Sequence, residues 1–226
     1  MVCVNGLVAT ALAEPGRLWV FFGALVLGLL LTVERREDGT RAVVGRAGVA
    51  ASLGAAFLGV ELALIQRFTL AAGGTLYAVS FVLFCLLAWS AAGALWLGGR
   101  WRRLEHGVTW ACVAAAGAAA ATGLIVRDLA WLDGIASGPA RLAAIALLLA
   151  PVGLAIGCPF PLLLAKSGEP SRIARLWAIN GAASVAGGIV GVLALRVGGS
   201  THGLGLAAVL YLVAAGLDRG SPRVFR

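Results

Sequence analysis

The sequence has little charge. Only 12% of its 226 residues are Asp, Glu, Lys or Arg, whereas 61% are hydrophobic, and its mean hydropathy is +0.97. A soluble globular domain usually has about 25% charged residues, because it must cover its surface with groups that water solvates. The shortage of charge excludes an ordinary soluble protein and predicts a polytopic membrane protein.

Histidine and cysteine are also scarce, at two and four residues. Cys85, Cys112 and Cys158 fall inside apolar runs, where a free cysteine behaves as a small hydrophobic residue. No His or Cys pair has metal-ligand spacing, so we predict neither a disulfide framework nor a metal or cofactor site. Intramembrane hydrolysis would need Ser with His, two Asp or two His at one depth. The apolar runs offer none of these sets, and we do not expect the chain to be an enzyme by itself.

Long apolar runs are what the sequence has in abundance. A helix needs roughly 20 apolar residues to cross the hydrocarbon layer, and the chain offers about seven such runs between its charged clusters. We therefore predict an all-α fold, a polytopic transmembrane helical bundle that forms a single integral membrane domain over residues 1–226. The spans are expected near residues 18–33, 43–66, 75–98, 107–126, 142–165, 176–195 and 203–217.

The 18 basic residues indicate the orientation, because cytoplasmic loops retain Lys and Arg. With seven spans, most of them fall on the side that includes the C-terminus. The other side holds Arg17, Arg67, Arg127, Arg141 and Arg196. We predict an N-terminus outside and a C-terminus in the cytoplasm. Topology and anionic lipid explain the net charge of +8, so nucleic acid is not an expected partner.

A carboxylate, Glu61, lies inside the second apolar run, in the sequence GVELALIQR at residues 59–67. An ionisable residue in a span is costly, so it is a candidate functional residue by default. Three interpretations stay open: a structural ion pair or neutral hydrogen-bonded acid, a carrier of protons, and a ligand for a cationic substrate. Arg196 and Arg67 are the candidate ion-pair partners. Gln66 is a further candidate for binding a substrate or coupling a proton, but it is about 140° away from Glu61 around the helix.

Two further motifs are GCPFP at residues 157–161 and NGAAS at residues 180–184. Pro159 and Pro161 cannot donate backbone hydrogen bonds, so the helix should kink or break there. In lipid the freed carbonyls must find other donors. We expect Asn180 either to donate its amide to them or to form, with the broken helix, the floor of a small-molecule site. Ser184 and Gly188 continue a small-residue stripe from Asn180, which lets helices approach closely.

Four runs together carry a resemblance: GVELALIQRFTL, TLYAVSFVLFCLLAWSAAGAL, GCPFPLLL and LWAINGAASVAGGIVGVLAL. They resemble the C-terminal membrane region of bacterial membrane-bound spermidine synthase-like proteins, over residues 45–215. In that family the membrane helices are joined to a soluble domain similar to polyamine aminopropyltransferases, which use decarboxylated S-adenosylmethionine. The resemblance implies location in the bacterial cytoplasmic (inner) membrane.

The sequence departs from this family in two places. It offers no soluble segment of domain length and no Gly-rich turn after a strand, so we expect the nucleotide-binding half to be absent. The family's GHPTYA-like loop reads GGTLYA at residues 73–78, which lacks the His and Pro and leaves Tyr77 as a candidate binding residue.

The resemblance and the departures together predict the membrane module of a spermidine synthase-like system, which acts as a scaffold or binds a small molecule. The expected partners are the lipid bilayer and either a separate cytoplasmic synthase-like subunit or a second copy of the chain. The alternative is a transporter or conduit for a small amine or another metabolite that uses Glu61.

Overall fold

The computed structural model describes residues 40–69, 75–135 and 137–220, and all regular structure in these ranges is helical. The helices are α1 (Thr40–Phe68), α2 (Thr75–Trp101), α3 (Gly107–Ile125), the one-turn α4 (Ala130–Asp133), α5 (Gly138–Ile156), α6 (Pro159–Ala165) and α7 (Pro170–Gly220). The predicted all-α helical bundle is confirmed.

Six stretches of these helices are long and apolar enough to cross a membrane. They are Gly45–Phe68, Leu76–Trp101, Gly107–Ile125, Gly138–Ala165, Pro170–Arg196 and Gly198–Arg219. In order they match the second to seventh predicted spans. The first predicted span, near residues 18–33, and the N-terminus lie outside the described residues. The protein is a multi-pass helical membrane protein.

The helix α7 consists of two halves that meet at Gly199. This residue has a φ of 69°, a left-handed conformation that glycine adopts without a steric penalty. Along the first half of α7, rising residue numbers meet rising residue numbers of α1. Along the second half, rising residue numbers meet falling residue numbers of α1. The pairs are Gly187 with Ala55, Gly188 with Leu58, Ala207 with Gly59 and Leu217 with Gly48. The chain therefore reverses direction at Gly199, and the two halves cross the bundle in opposite directions.

The helix α1 is central because both halves of α7 pack against it. Its Val60, Leu64 and Phe68 are fully buried. A Cβ built at Gly54 would collide with the carbonyl oxygen of Asn180, and one built at Gly187 would collide with Ala55. Small residues thus set the distance between α1 and α7, as the small-residue stripe predicts.

A second close contact joins α2 and α5. A Cβ at Gly93 would collide with the backbone of Leu154, and one at Gly157 would collide with the backbone of Ser90. The indole N–H of Trp89 donates to the carbonyl of Ala146 at 2.9 Å. This contact holds the end of α5, where the chain breaks before α6, against α2.

Hydrogen bonds define the two ends of the bundle. At one end the Thr109 hydroxyl donates to the Asp218 carboxylate at 2.7 Å, and the Lys166 ammonium donates to the Glu105 carbonyl at 3.3 Å. We call this the basic end, since it carries Arg46, Arg100, Arg102, Arg103, Lys166, Arg172, Arg175 and Arg219. The opposite end carries Arg67, Arg127, Arg141 and Arg196. The described helices therefore keep the charge asymmetry that the sequence predicts.

Replacing Gly54 by Ala should destabilise the bundle, because the new Cβ would strike the Asn180 carbonyl, a backbone atom that moves only if α7 moves. Overpacking of this kind costs about 1–3 kcal/mol. Gly117→Ala is the matched control in α3, since a Cβ there meets nothing within 4 Å. Thermal unfolding in detergent, followed by tryptophan fluorescence, should give a lower midpoint for Gly54→Ala alone. Equal midpoints for the two variants would contradict the close contact.

Candidate functional site

Glu61 lies in the interior of the bundle, with only 8% of its surface exposed. Its chain neighbours Val60, Ala63 and Leu64 are fully buried and apolar. Within residues 40–69, 75–135 and 137–220, its carboxyl group has no hydrogen bond or ion pair. A carboxylate in such surroundings is costly when it is charged and unpaired. The site therefore favours either a protonated carboxyl or the approach of a cation.

Arg196 and Arg67, the two arginines predicted as partners of Glu61, lie at the end of the bundle opposite the basic end. Arg196 is exposed and forms no ion pair with Glu61 in the described part of the chain. Arg67 donates from Nε to the Val126 carbonyl at 2.5 Å and from a terminal nitrogen to the Arg127 carbonyl at 3.1 Å. These carbonyls follow the last turn of α3, where a positive charge interacts favourably with the helix dipole. Arg67 thus serves as a cap of α3 and fastens it to α1.

Gln66 and Tyr77 also lie away from Glu61. Gln66 is exposed, which confirms that it occupies a different face of α1 from Glu61. Tyr77 is 54% exposed near the start of α2, where its ring stacks on Phe81 with centroids 6.5 Å apart and an interplanar angle of 2°. The structure places both candidates on the surface of the bundle.

Asn180 bonds to α1. Its side-chain amide donates to the Ala50 carbonyl at 3.0 Å, so the partner predicted for it, a carbonyl freed by Pro159 or Pro161, is wrong. The reason is the absent side chain of Gly54, which lets α7 approach closely enough for Asn180 to reach the backbone of α1. The Ser184 hydroxyl donates to the Asn180 carbonyl at 2.9 Å, within α7 itself.

The chain breaks at the predicted prolines, between the end of α5 and the start of α6 at Pro159. The Ala155 carbonyl, to which Pro159 cannot donate, accepts instead from the backbone N–H of Cys158 at 3.4 Å. The Cys158 sulfur lies 3.2 Å from the carbonyl oxygens of both Gly93 and Leu154. The Ala155 carbonyl is therefore satisfied locally, without Asn180.

The GCPFP and NGAAS motifs are nevertheless neighbours. The ring of Phe160 meets the ring of Trp177 edge to face, with centroids 5.1 Å apart and an interplanar angle of 87°. This contact brings α6 to α7 one turn before Asn180. Pro159 is buried and Pro161 is exposed. The prolines thus set the helix break near Asn180, but the side-chain amide of Asn180 bonds to α1.

Three polar side chains, one on α1 and two half-buried ones on α7, lie along one face of α1. Gly54 and Glu61 are two helical turns apart, which is about 10.5 Å along the axis and about 20° around it. Asn180 and Ser184 lie against Gly54, because a Cβ at this glycine would meet atoms of both. We call Asn180, Ser184 and Glu61 the interior polar face. It extends from the half of the bundle nearer the basic end toward the opposite end.

A polar pair that the sequence analysis missed is Thr109 with Asp218. Thr109 is fully buried and bonds to the Asp218 carboxylate, which joins the start of α3 to the end of α7. Both residues lie on the predicted cytoplasmic side. The pair could not be predicted, because the sequence does not show which non-consecutive helices are adjacent. Within the described ranges, no group of three or more His, Cys, Asp or Glu side chains could hold a metal ion.

The fold and the site define a multi-pass helical membrane protein with a buried carboxyl and a polar face in its interior. A comparison with known proteins found no matching family model, curated protein or solved structure.

Asn180→Ala should destabilise the protein, because it removes a hydrogen bond between α7 and α1. Such bonds between membrane helices contribute about 0.6 kcal/mol on average and about 1.7 kcal/mol at most. Ser184→Ala is the matched control, since its hydroxyl bonds only within α7. Reversible unfolding in mixed micelles of mild detergent and sodium dodecyl sulfate measures both. A loss for Ser184→Ala as large as that for Asn180→Ala would contradict the assignment.

Proposed function

We propose that this chain is the membrane-embedded module of a spermidine synthase-like system, and that it binds a small organic cation at Glu61 rather than catalysing a reaction. The observation that supports this most is the burial of Glu61 without a partner among the described residues. A cation that reaches the carboxylate replaces its lost hydration and balances its charge. Ligand binding therefore relieves the cost of an unpaired buried carboxylate.

An alkylammonium group suits this site. An ammonium group carries three hydrogen-bond donors, and a carboxylate has two acceptor oxygens. The apolar side chains next to Glu61 can contact the methylene groups that follow the nitrogen. The described spans offer Glu61 as their buried acidic side chain, so the site suits one ammonium group of an amine at a time. The resemblance to spermidine synthase-like proteins supports an amine as the substrate class.

In the proposed orientation the basic end lies on the cytoplasmic side of the bacterial inner membrane, because loops rich in Lys and Arg are retained on that side. Asn180 and Ser184 then lie between the cytoplasm and Glu61. A ligand that enters from the cytoplasm would meet their polar groups before it reaches the carboxyl group.

A carbodiimide tests the state of Glu61 directly. Dicyclohexylcarbodiimide adds to a protonated carboxyl in apolar surroundings and leaves a stable acylurea, which peptide mass spectrometry locates. We expect labelling at Glu61, loss of this labelling in Glu61→Gln, and slower labelling when spermidine or putrescine is present. Glu105 is the internal control, because it is exposed to solvent and should remain unlabelled.

Two results would contradict the proposal. An absence of labelling at Glu61 would mean that its carboxyl is paired or inaccessible. Labelling that no amine slows, even at saturating concentration, would make Glu61 a neutral structural acid and would leave the scaffold function alone.

The second candidate function is transport of the same amine, which the alignment of Asn180, Ser184 and Glu61 along one face of α1 favours. Proteoliposomes that contain the protein should then accumulate radiolabelled spermidine or putrescine. Glu61→Gln should reduce uptake at least about tenfold, since a hydrogen bond to a charged group contributes about 1.5–3 kcal/mol. Gln66→Ala is the control on the exposed face of α1 and should retain uptake. Amine protection of Glu61 without uptake would support a binding module and exclude the transporter.

A further inference from the structure

We propose that the basic end of α2 binds an anionic phospholipid. Arg102, Arg103 and Lys166 hold the phosphate of its headgroup, and an acyl chain lies along the exposed apolar face of α2. This inference is independent of the proposed function, because it concerns the outer surface of the bundle and not the interior polar face.

The headgroup site is formed by two loops that meet at the basic end. The Lys166 ammonium donates to the Glu105 carbonyl at 3.3 Å, which holds the loop after α6 against the loop after α2. Arg102 and Arg103 belong to this second loop, and all three cationic side chains are exposed. The acidic residues of the two loops are Glu105 and Glu169, and Glu169 forms an ion pair with Arg172, so the three cations outnumber the remaining carboxylate. An arginine guanidinium can bind phosphate oxygens through two parallel hydrogen bonds.

The surface for the acyl chain leads directly to these arginines. Phe84 is 71% exposed and Leu95 is 77% exposed. The Arg102 backbone N–H donates to the Gly98 carbonyl at 2.9 Å, so the helical path of α2 continues to Arg102. Spacings of eleven and seven residues place Phe84, Leu95 and Arg102 within about 20° of one line along the helix. A lipid lying on this line has its chain on Phe84 and Leu95 and its phosphate at Arg102.

Apolar residues at the basic end favour a lipid over a soluble acidic partner. Leu104 is 46% exposed directly after Arg103, and Trp96 is 70% exposed near the end of α2. Tryptophan is enriched at the level of lipid headgroups, where its ring is partly in hydrocarbon and its N–H is hydrated. The arginines are therefore mixed with side chains that prefer the membrane interface.

The opposite end provides a natural comparison. There the guanidinium of Arg67 is already bonded to the carbonyls after α3, Arg127 lies in the loop after α3, and Arg196 lies on α7 before the reversal at Gly199. At the basic end, by contrast, three exposed cations lie on two loops in contact. We therefore expect selectivity for an anionic headgroup at the basic end alone.

Native mass spectrometry of the purified protein in mild detergent tests the site, with phosphatidylglycerol and phosphatidylcholine of equal chain length as probes. We expect the wild-type protein to bind phosphatidylglycerol more tightly than phosphatidylcholine. The double variant Arg102→Gln/Arg103→Gln should lose at least about tenfold in affinity for phosphatidylglycerol alone, because each cation near a membrane surface adds to the attraction. Arg127→Gln/Arg196→Gln removes the same charge from the opposite end and should bind like the wild type.

Three outcomes would overturn the proposal. Equal affinity for the two lipids in the wild type would exclude the anionic site and favour a soluble acidic partner at the basic end. An equal loss in both double variants would show an effect of net charge rather than a site. Displacement of phosphatidylglycerol by an equal concentration of inorganic phosphate would show that the acyl chain contributes nothing. Circular dichroism of each variant confirms that it is folded, so weak binding is not mistaken for unfolding.

Discussion

The close contact between α1 and α7 is the interaction on which the rest of the structure depends. Lipid tails are as apolar as the side chains of the spans, so hydrophobicity alone does not bring two membrane helices together. Here the glycines at Gly54 and Gly187 let the backbones approach, and Asn180 adds a hydrogen bond to the Ala50 carbonyl. Because the chain reverses at Gly199, the two halves of α7 are separate spans, and both pack against α1. The contact thereby sets the centre of the bundle.

This contact also determines the surroundings of Glu61. A carboxyl on an isolated helix could turn toward water at the membrane surface, whereas α1 is covered by its neighbours and leaves Glu61 only 8% exposed. The nearby arginine that could have paired with it, Arg67, is bonded to the end of α3. The protein thus maintains an acidic group in a place where its charge is costly, and a cationic ligand would relieve this cost.

The two proposals use different parts of the same chemistry. In the interior, the cost of an unpaired carboxyl is the basis of the proposed site for a small cation. At the basic end, two loops in contact gather cations at the membrane interface, where an anionic headgroup balances them. A lipid bound there would also restrain α2, which packs closely against α5 next to the break at Pro159.

The sequence by itself determined the fold class, the six described spans, the uneven distribution of charge and the break at Pro159, since all follow from local composition and from the missing N–H of proline. It also indicated Glu61, because a carboxylate in an apolar run is visible without a structure. Only the tertiary structure decided that Asn180 bonds to Ala50, that Arg67 caps α3 and that Thr109 meets Asp218. Each of these joins helices that are not consecutive in the chain. Their adjacency depends on how whole surfaces fit together, which no local pattern records.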